Sequence, residues 1–295
     1  MSQHIKHVYN SWNDFIEKMT KGQKVTSNKS SESVDREGWY GTNTFREAVG
    51  YLNSGWHDGL RAINERRKHV PADLFSAIMP VEDYMPELRH VIAGGTVDIP
   101  AHITGATPEV FIAEVQSEET REKRGNKLKT LYVNCANNSN IEVGMFMERG
   151  SLVWLLVEHM EKCGFSCEVW AYSCHSKGSW RDEGSSKVTQ LIKVKEFGEL
   201  FDDNKLAIAL CSAFMLRRFV FALMEMGDNS LETDMVEDNS YGTILRQKAD
   251  DIILPSDKDL NPLFIDPSGC HNPDQMRQLI KKVLDDHLNT NVLAE

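Results

Sequence analysis

From Thr130 onward the chain alternates short apolar strands with long apolar helices, and this alternation limits the possible folds more than any other feature. Thr130-Leu131-Tyr132-Val133-Asn134 has the chemistry of a buried strand. A polar loop, Asn137 to Asn140, leads into a helix running to about Cys163, with Leu152, Val153, Leu155, Leu156, Val157 and Met160 along it and Gly164 as its C′ residue. Cys167 to Tyr172 predicts the next strand. Gln190 to Lys195 predicts another, across a polar loop at Gly178 to Ser186. Lys205 to Met226 reads as one strongly apolar helix and Asp251 to Leu254 as a short strand. Gln275 to Leu288 reads as a terminal helix opened by Pro273-Asp274. The pattern predicts an α/β fold, a mostly parallel sheet with helices on both faces.

The sheet is preceded by a stretch with helical periodicity. Tyr9, Trp12, Phe15, Ile16 and Met19 recur at helical spacing, and Lys21 to Arg36 then reads as an exposed linker. Thr44 is a good N-cap for Phe45, Ala48, Val49 and Leu52, and Glu47 completes a capping box. Gly55 stops that helix and Trp56 to Arg67 restarts another, giving a helical hairpin over about residues 44–68. Pro71, Pro80 and Pro86 then break the chain into short pieces, and Thr96 to Pro100 alternates like an edge strand. At 295 residues the chain is long enough for about two domains. The expected division is a helical N-terminal segment, 1–89, and an α/β sheet domain, 90–295.

The first ten residues are polar and carry no signal peptide, and the six scattered cysteines suit free thiols in a reducing compartment, so a cytoplasmic location is expected. The longest apolar stretch, Leu206 to Leu216, is too short for a membrane span. Lys and Arg number 33 against 44 Asp and Glu, a net charge of −11 that disfavours non-specific wrapping of duplex DNA. A local basic groove is still compatible with that balance.

The loop after Asn134 comes where open α/β sheets bind ligands. A von Willebrand A-type domain places an Asp-x-Ser-x-Ser metal motif there; the matching positions here are Asn134, Ala136 and Asn138, which lack the anionic ligand and one donor altogether. A solvated polar turn is the plainer expectation, with no metal and no cofactor. No phosphate-cradling glycine loop comes after a strand. Cys163, Cys167, Cys174 and His175 lack zinc-ligand spacing, since roughly 20 Å of extended strand separates Cys167 from Cys174. No Gly-x-Ser-x-Gly elbow is present; Cys135 is the one thiol at a strand's carboxyl end, where His102, His175 or His271 could approach it as a nucleophile's base. The expectation is that the protein is not an enzyme.

Basic and aromatic residues form the more suggestive set. Arg61, Arg66, Arg67, Lys68 and His69 crowd one helix end, and Arg121, Lys123, Arg124, Lys127 and Lys129 crowd a second segment. Trp12, Trp39, Tyr40 and Trp56 lie in the N-terminal half. Single-strand binders combine such cationic tracks with stacking aromatics, although Glu65, Glu118, Glu119 and Glu122 interrupt both runs and suit ordinary solvated faces. Arg217-Arg218 inside an apolar helix calls for buried acids or an interface. Asp228 to Asp238 reads as an exposed acidic loop.

At Trp39, Gly41-Thr42, Phe45, Ala48, Gly55-Trp56 and Gly59, then Gly95 to Pro100, Gly105 and Pro108-Glu109, the chain resembles a family of bacteriophage proteins of unassigned function. The likeness continues at Arg149-Gly150-Ser151, Gly164 and Glu168-Val169-Trp170, covering about residues 38–172. It implies a phage origin and the host cytoplasm, and carries over no catalytic residue. More loosely, the chain is similar to accessory factors of phages that encode a compact single-subunit RNA polymerase. That likeness implies single-stranded DNA binding and a polymerase or other phage protein as partner. The leading expectation is therefore a non-enzymatic accessory protein that binds single-stranded nucleic acid and a protein. The alternatives are an interaction scaffold of von Willebrand A-like form and a cysteine-dependent enzyme.

Overall fold

The computed structural model describes residues 3–26, 30–35, 37–76, 78, 88–91, 96–97, 111–114, 128–136, 141–177, 186–237, 241, 243–244 and 252–292. The fold is mixed α/β around a mostly parallel sheet. Its strands are β1 (His4–Tyr9), β5 (Leu128–Asn134), β6 (Ser166–Lys177), β7 (Ser186–Lys195) and β9 (Leu263–Ile265), in the order β1-β7-β6-β5-β9. Short β8 (Thr243–Ile244) pairs with β6. The contacts β1–β7, β5–β6 and β5–β9 are parallel, whereas β6 and β7 form an antiparallel hairpin. A second, three-stranded antiparallel sheet holds β2 (Leu88–Val91), β4 (Phe111–Glu114) and β3 (Thr96–Val97) in that order.

Alternation along the strands sends side chains to two different cores. Leu131, Val133, Val169, Ala171, Ile192, Val194, Leu263 and Ile265 join the large cluster with the helices. That cluster takes in α1 (Trp12–Lys21), α2 (Phe45–Ser54), α3 (His57–Arg67), α4 (Val143–Lys162) and α8 (Pro273–Val292). Tyr132, Trp170, Tyr172 and Leu191 point the other way and meet Ile252, Ile253 and Leu254. Tyr132 donates to Asp257 Oδ2 and accepts from Leu254 N, which pins that segment. Helices were expected on both faces; among the described residues they lie on one, and a short segment with a 3₁₀ turn covers the other.

The helical hairpin forms as the residues require. Thr44 Oγ1 accepts from Glu47 N at 3.1 Å, Glu47 Oε2 accepts from Asn43 N at 2.8 Å, and Gly55 ends α2 with φ at +84°. The chain does not open with a helix, however. β1 comes first and joins the main sheet at its edge, so the N-terminal residues belong to the same core as the rest. Its six residues mix His and Lys with Ile, Val and Tyr, a composition that an edge strand tolerates and that masks the alternation.

Two further expectations are corrected. Asp251 to Leu254 contributes no strand among its described residues; the second parallel neighbour of β5, besides β6, is β9, a triplet bracketed by Pro262 and Pro267. The apolar stretch 203–226 is not one helix. α5 (Asp203–Leu206) runs into a π-helical turn to Cys211, and a second π-helical turn, Met215–Val220, leads into α6 (Phe221–Glu225) after a 74° bend. Ser212 makes the break: its hydroxyl donates to Ile208 O and accepts from Met215 N. No single described helix is long and apolar enough to cross a membrane, and residues of the bent pair such as Ile208, Phe214 and Phe219 are packed in the core.

Arg217 and Arg218 serve this core in a way the sequence left open. Arg218 donates to the carbonyls of Ser31 at 2.7 Å and Thr42 at 2.8 Å, with its guanidinium 3.8 Å from the Tyr40 ring centre. Arg217 donates to Trp39 O and Ile141 O and lies over Trp39 and Phe146. Glu225, fully buried, accepts from Ser31, Tyr241 and Lys24. These bonds fasten the expected linker to the helices. The acidic stretch is likewise structured: α7 (Ser230–Glu237) buries Leu231, Glu232, Met235 and Val236, and Asn229 Oδ1 accepts from Glu232 N as its cap.

Candidate functional site

β5 has parallel neighbours on both sides. α4 carries the chain to β6 on one side, and β9 pairs on the other. The loop after Asn134 therefore opens where the strand order reverses, the place at which open α/β sheets take ligands. Asn134 donates from Nδ2 to Asp266 Oδ1 at 2.9 Å and accepts on Oδ1 from Ala136 N at 2.8 Å. Asp266, just past β9, also accepts from Ser268 N at 3.0 Å. An amide and a carboxylate thus clasp the ends of the two strands.

Beside the clasp, Arg149 enters from α4 and is 3% exposed. It lines a cavity of about 20 Å³ together with Asn134, Cys135, Gly150, Leu210 and Pro267, room for about one water. Burial lowers the Arg149 pKa, and the nearby Cys270 and Asp266 oppose that shift. Gly150 sets how close the helix comes: a Cβ there would collide with the Leu210 backbone. In the sequence this position stands within Arg149-Gly150-Ser151, without its reason.

Next to the clasp, β6 runs past the end of β5 and carries buried polar groups. Among the described residues, the Tyr172 hydroxyl, Ser173 Oγ and both His175 ring nitrogens of β6, with the Gln190 amide of β7, have no hydrogen bond of ordinary geometry. Ser173 and Gln190 are a cross-strand pair, and Gln190 also pairs with His7 of β1. Burial pulls His175 down to about 4, with the Tyr241 backbone opposing in part, so the imidazole is neutral. Buried groups of this kind are usually met by ordered water.

The basic residues named from the sequence are placed unevenly. Arg61 pairs with Asp58, Arg66 with Glu148 at 3.0 Å, Arg67 with Glu158, and Lys68 with Glu65 at 2.6 Å. Each cation of that group has an acid on it. Lys129 is half-buried in β5, where burial lowers its pKa. Arg121, Lys123, Arg124 and Lys127 lie outside the described residues. Trp12 and Trp56 are buried in the core, and Trp39 and Tyr40 hold the two arginines.

Cys135, the candidate nucleophile, donates to Tyr172 O at 3.1 Å, and burial pushes its thiol up to about 12. His271 is exposed, His175 is neutral and enclosed, and His102 lies outside the described residues. All six cysteines are buried and none forms a disulfide, and no group of three His, Cys, Asp or Glu among the described residues could hold a metal ion. Asp266, Arg149 and Gln190 were missed by sequence reasoning. Only Asp266 had a signal, an Asp-Pro-Ser turn opener after an apolar triplet.

Together these features define a mixed α/β protein with a polar crevice at the reversal of strand order. The chain belongs to the family described as Domain of unknown function (DUF7192), whose profile matches residues 2–288. No curated protein and no solved structure matches it.

Proposed function

We propose that this chain is a non-enzymatic interaction module on a von Willebrand A-like scaffold, docking a protein partner at the crevice beside Asn134 and Asp266. The observation that carries this reading is the clasp itself. Where a von Willebrand A-type domain holds a metal, Asn134 turns its NH₂ toward Asp266 and commits its oxygen to Ala136 N. The remaining donor set, one carboxylate beside an amide and an alanine, suits no divalent ion. The positive charge of that corner is Arg149, enclosed beside Asp266. The raised Cys135 thiol argues against the cysteine-dependent alternative, because the thiolate is the nucleophile. In the bacteriophage setting that the resemblance implies, the partner is the compact polymerase. Capture from cells producing both proteins, with nuclease and chelator present, is expected to retain the partner with wild type and lose it with Asp266→Ala. Loss on chelation alone would sink the metal-free reading.

A second reading, single-stranded nucleic acid binding, has its own support. The second sheet ends at Glu114, and the basic run comes after it, before the chain enters the main sheet at Leu128. Since Arg61, Arg66, Arg67 and Lys68 are matched by acids, this reading assigns the contact to Arg121, Lys123, Arg124 and Lys127. Fluorescence anisotropy with a labelled oligonucleotide tests it. Salt-sensitive binding should vanish when those four become Ala and persist when the α3 cations do; no binding at low salt discards it.

A further inference from the structure

The cavity at the strand ends has room for about one water, so anything larger enters only when a wall moves. One neighbouring element is fastened differently from the core. Residues 30–35 and 37–43 form a compact loop that keeps its own shape. Asp35 Oδ1 accepts from Trp39 N at 3.0 Å and Oδ2 from Tyr40 N at 2.7 Å. Asp35 N donates to Asn43 O at 3.0 Å, and the Tyr40 hydroxyl donates to Ser30 O at 2.8 Å.

The loop is held down by charge rather than by apolar burial. Among its described residues only Ser31 and Thr42 are buried, and Val34 is 65% exposed. Arg218 donates to the carbonyls of Ser31, Ser33, Thr42 and Asn43, and the Glu225 carboxylate accepts from Ser31 N and Oγ. Deleting one partner would strand a buried charge. Lifting the whole loop returns both sides to water, which exchanges the lost hydrogen bonds for hydrated ones. Segments with few apolar contacts open locally at a fraction of the global stability.

Arg217 ties the loop to the crevice. It donates to Trp39 O and to Ile141 O, just before α4, and lies 4.9 Å from the ring centre of Phe146, which lines the cavity. Gly41 abuts a further wall: a Cβ there would stand 3.2 Å from Ala213 Cβ and 3.6 Å from Phe214 N, next to cavity-lining Ser212.

We propose that this loop is a latch on the strand-end crevice. It lifts as one body from Arg217, Arg218 and Glu225, and frees Ile141 and the 212–214 bend to part. What the latch admits rests on the docking reading; the motion does not. Hydrogen exchange of the whole protein measures the lifting. Alkylation of Cys135 by iodoacetamide, read by peptide mass spectrometry, measures the opening with no partner present. The amides of Ser31, Asp35, Trp39 and Tyr40 should share one opening constant, at least about a hundredfold larger than that of Leu131 and Val169 in the sheet. Arg218→Lys keeps the charge but cannot fork to the carbonyls. It should raise that constant at least about tenfold and Cys135 alkylation by the same factor, with Cys167 unchanged. Gly38→Ala, at an exposed residue with φ at +76°, should raise both about fivefold without touching the core. Loop amides that exchange independently, or only together with the sheet, overturn the latch. Faster loop exchange with Cys135 alkylation unchanged overturns its hold on the crevice. Should both rise together while partner capture fails, the latch stands and the docking reading falls.

Discussion

At the amino-terminal end of α4 a clasp between two strand ends meets its own polar atoms; toward the carboxyl-terminal end an indole is left unmet. Beside Arg149, the Asn134 amide and the Asp266 carboxylate meet at 2.9 Å, and the space between helix and strands holds about one water. Beside Trp154, an indole N–H lacks an acceptor, a leucine is almost fully exposed, and the Asp203 carboxylate has no ion pair among the described residues. A buried donor left unmet costs stability, and the protein carries that cost beside Trp154 and again along β6 and β7 next to the clasp, at Tyr172, Ser173, His175 and Gln190. The strand-end site is tight because Gly150 lets α4 come down on Leu210, and this closeness leaves room for about one water.

The sharpest way to break the contrast is to force the tight end apart. Gly150→Val should cost about 3 kcal/mol, because its side chain must displace backbone rather than another side chain. Gly144→Ala, six residues earlier with open space around it, should leave stability unchanged or slightly raised. Chemical denaturation of the pair measures the difference, and equal effects would show that the close approach is not real.

A second effect concerns pH. His175 has a folded-state pKa of about 4 against 6.5 when unfolded. The unfolded chain therefore takes up its proton first. The stability this group contributes is fully present above pH 6.5 and is lost as pH falls toward 4, by about 3 kcal/mol in total. Denaturation midpoints of wild type and His175→Gln between these limits should converge in acid; parallel curves would place the imidazole in water.

Smaller effects separate the two ends by kind. Asp266→Asn should cost about 1–2 kcal/mol by weakening the clasp, since Asn134 then donates to a neutral acceptor. Leu200→Ser should change stability by less than about 0.5 kcal/mol, because the side chain is exposed. A large stability loss from Leu200→Ser would mean that the leucine packs in solution.

How much was legible in the sequence depends on how local each signal is. The α2–α3 hairpin, α4 and α8 were readable because caps, glycines and periodicity lie within the elements themselves. β9 was not, because a triplet between prolines carries too little pattern, and the nearby Ile252-Ile253 offered a stronger one that tertiary packing uses differently. The break at Ser212 hides in an apolar run whose average favours one helix. For the site, the position after Asn134 was legible from topology. Its partner Asp266 lies more than a hundred residues on and is brought there only by β9. The basic cluster of α3 was legible as charge, but its acids Glu148 and Glu158 come from α4, which no local reading supplies.

The most direct test of the central claim restores what the scaffold lacks. Asn134→Asp, Ala136→Ser and Asn138→Ser together rebuild the oxygen donors opposite Asp266 in a von Willebrand A-like register. Isothermal titration with Mg²⁺ should show no binding to wild type and one-site binding to the triple variant, lost again on adding Asp266→Ala. A folded triple variant that takes up no Mg²⁺ would contradict the register on which the interaction module rests.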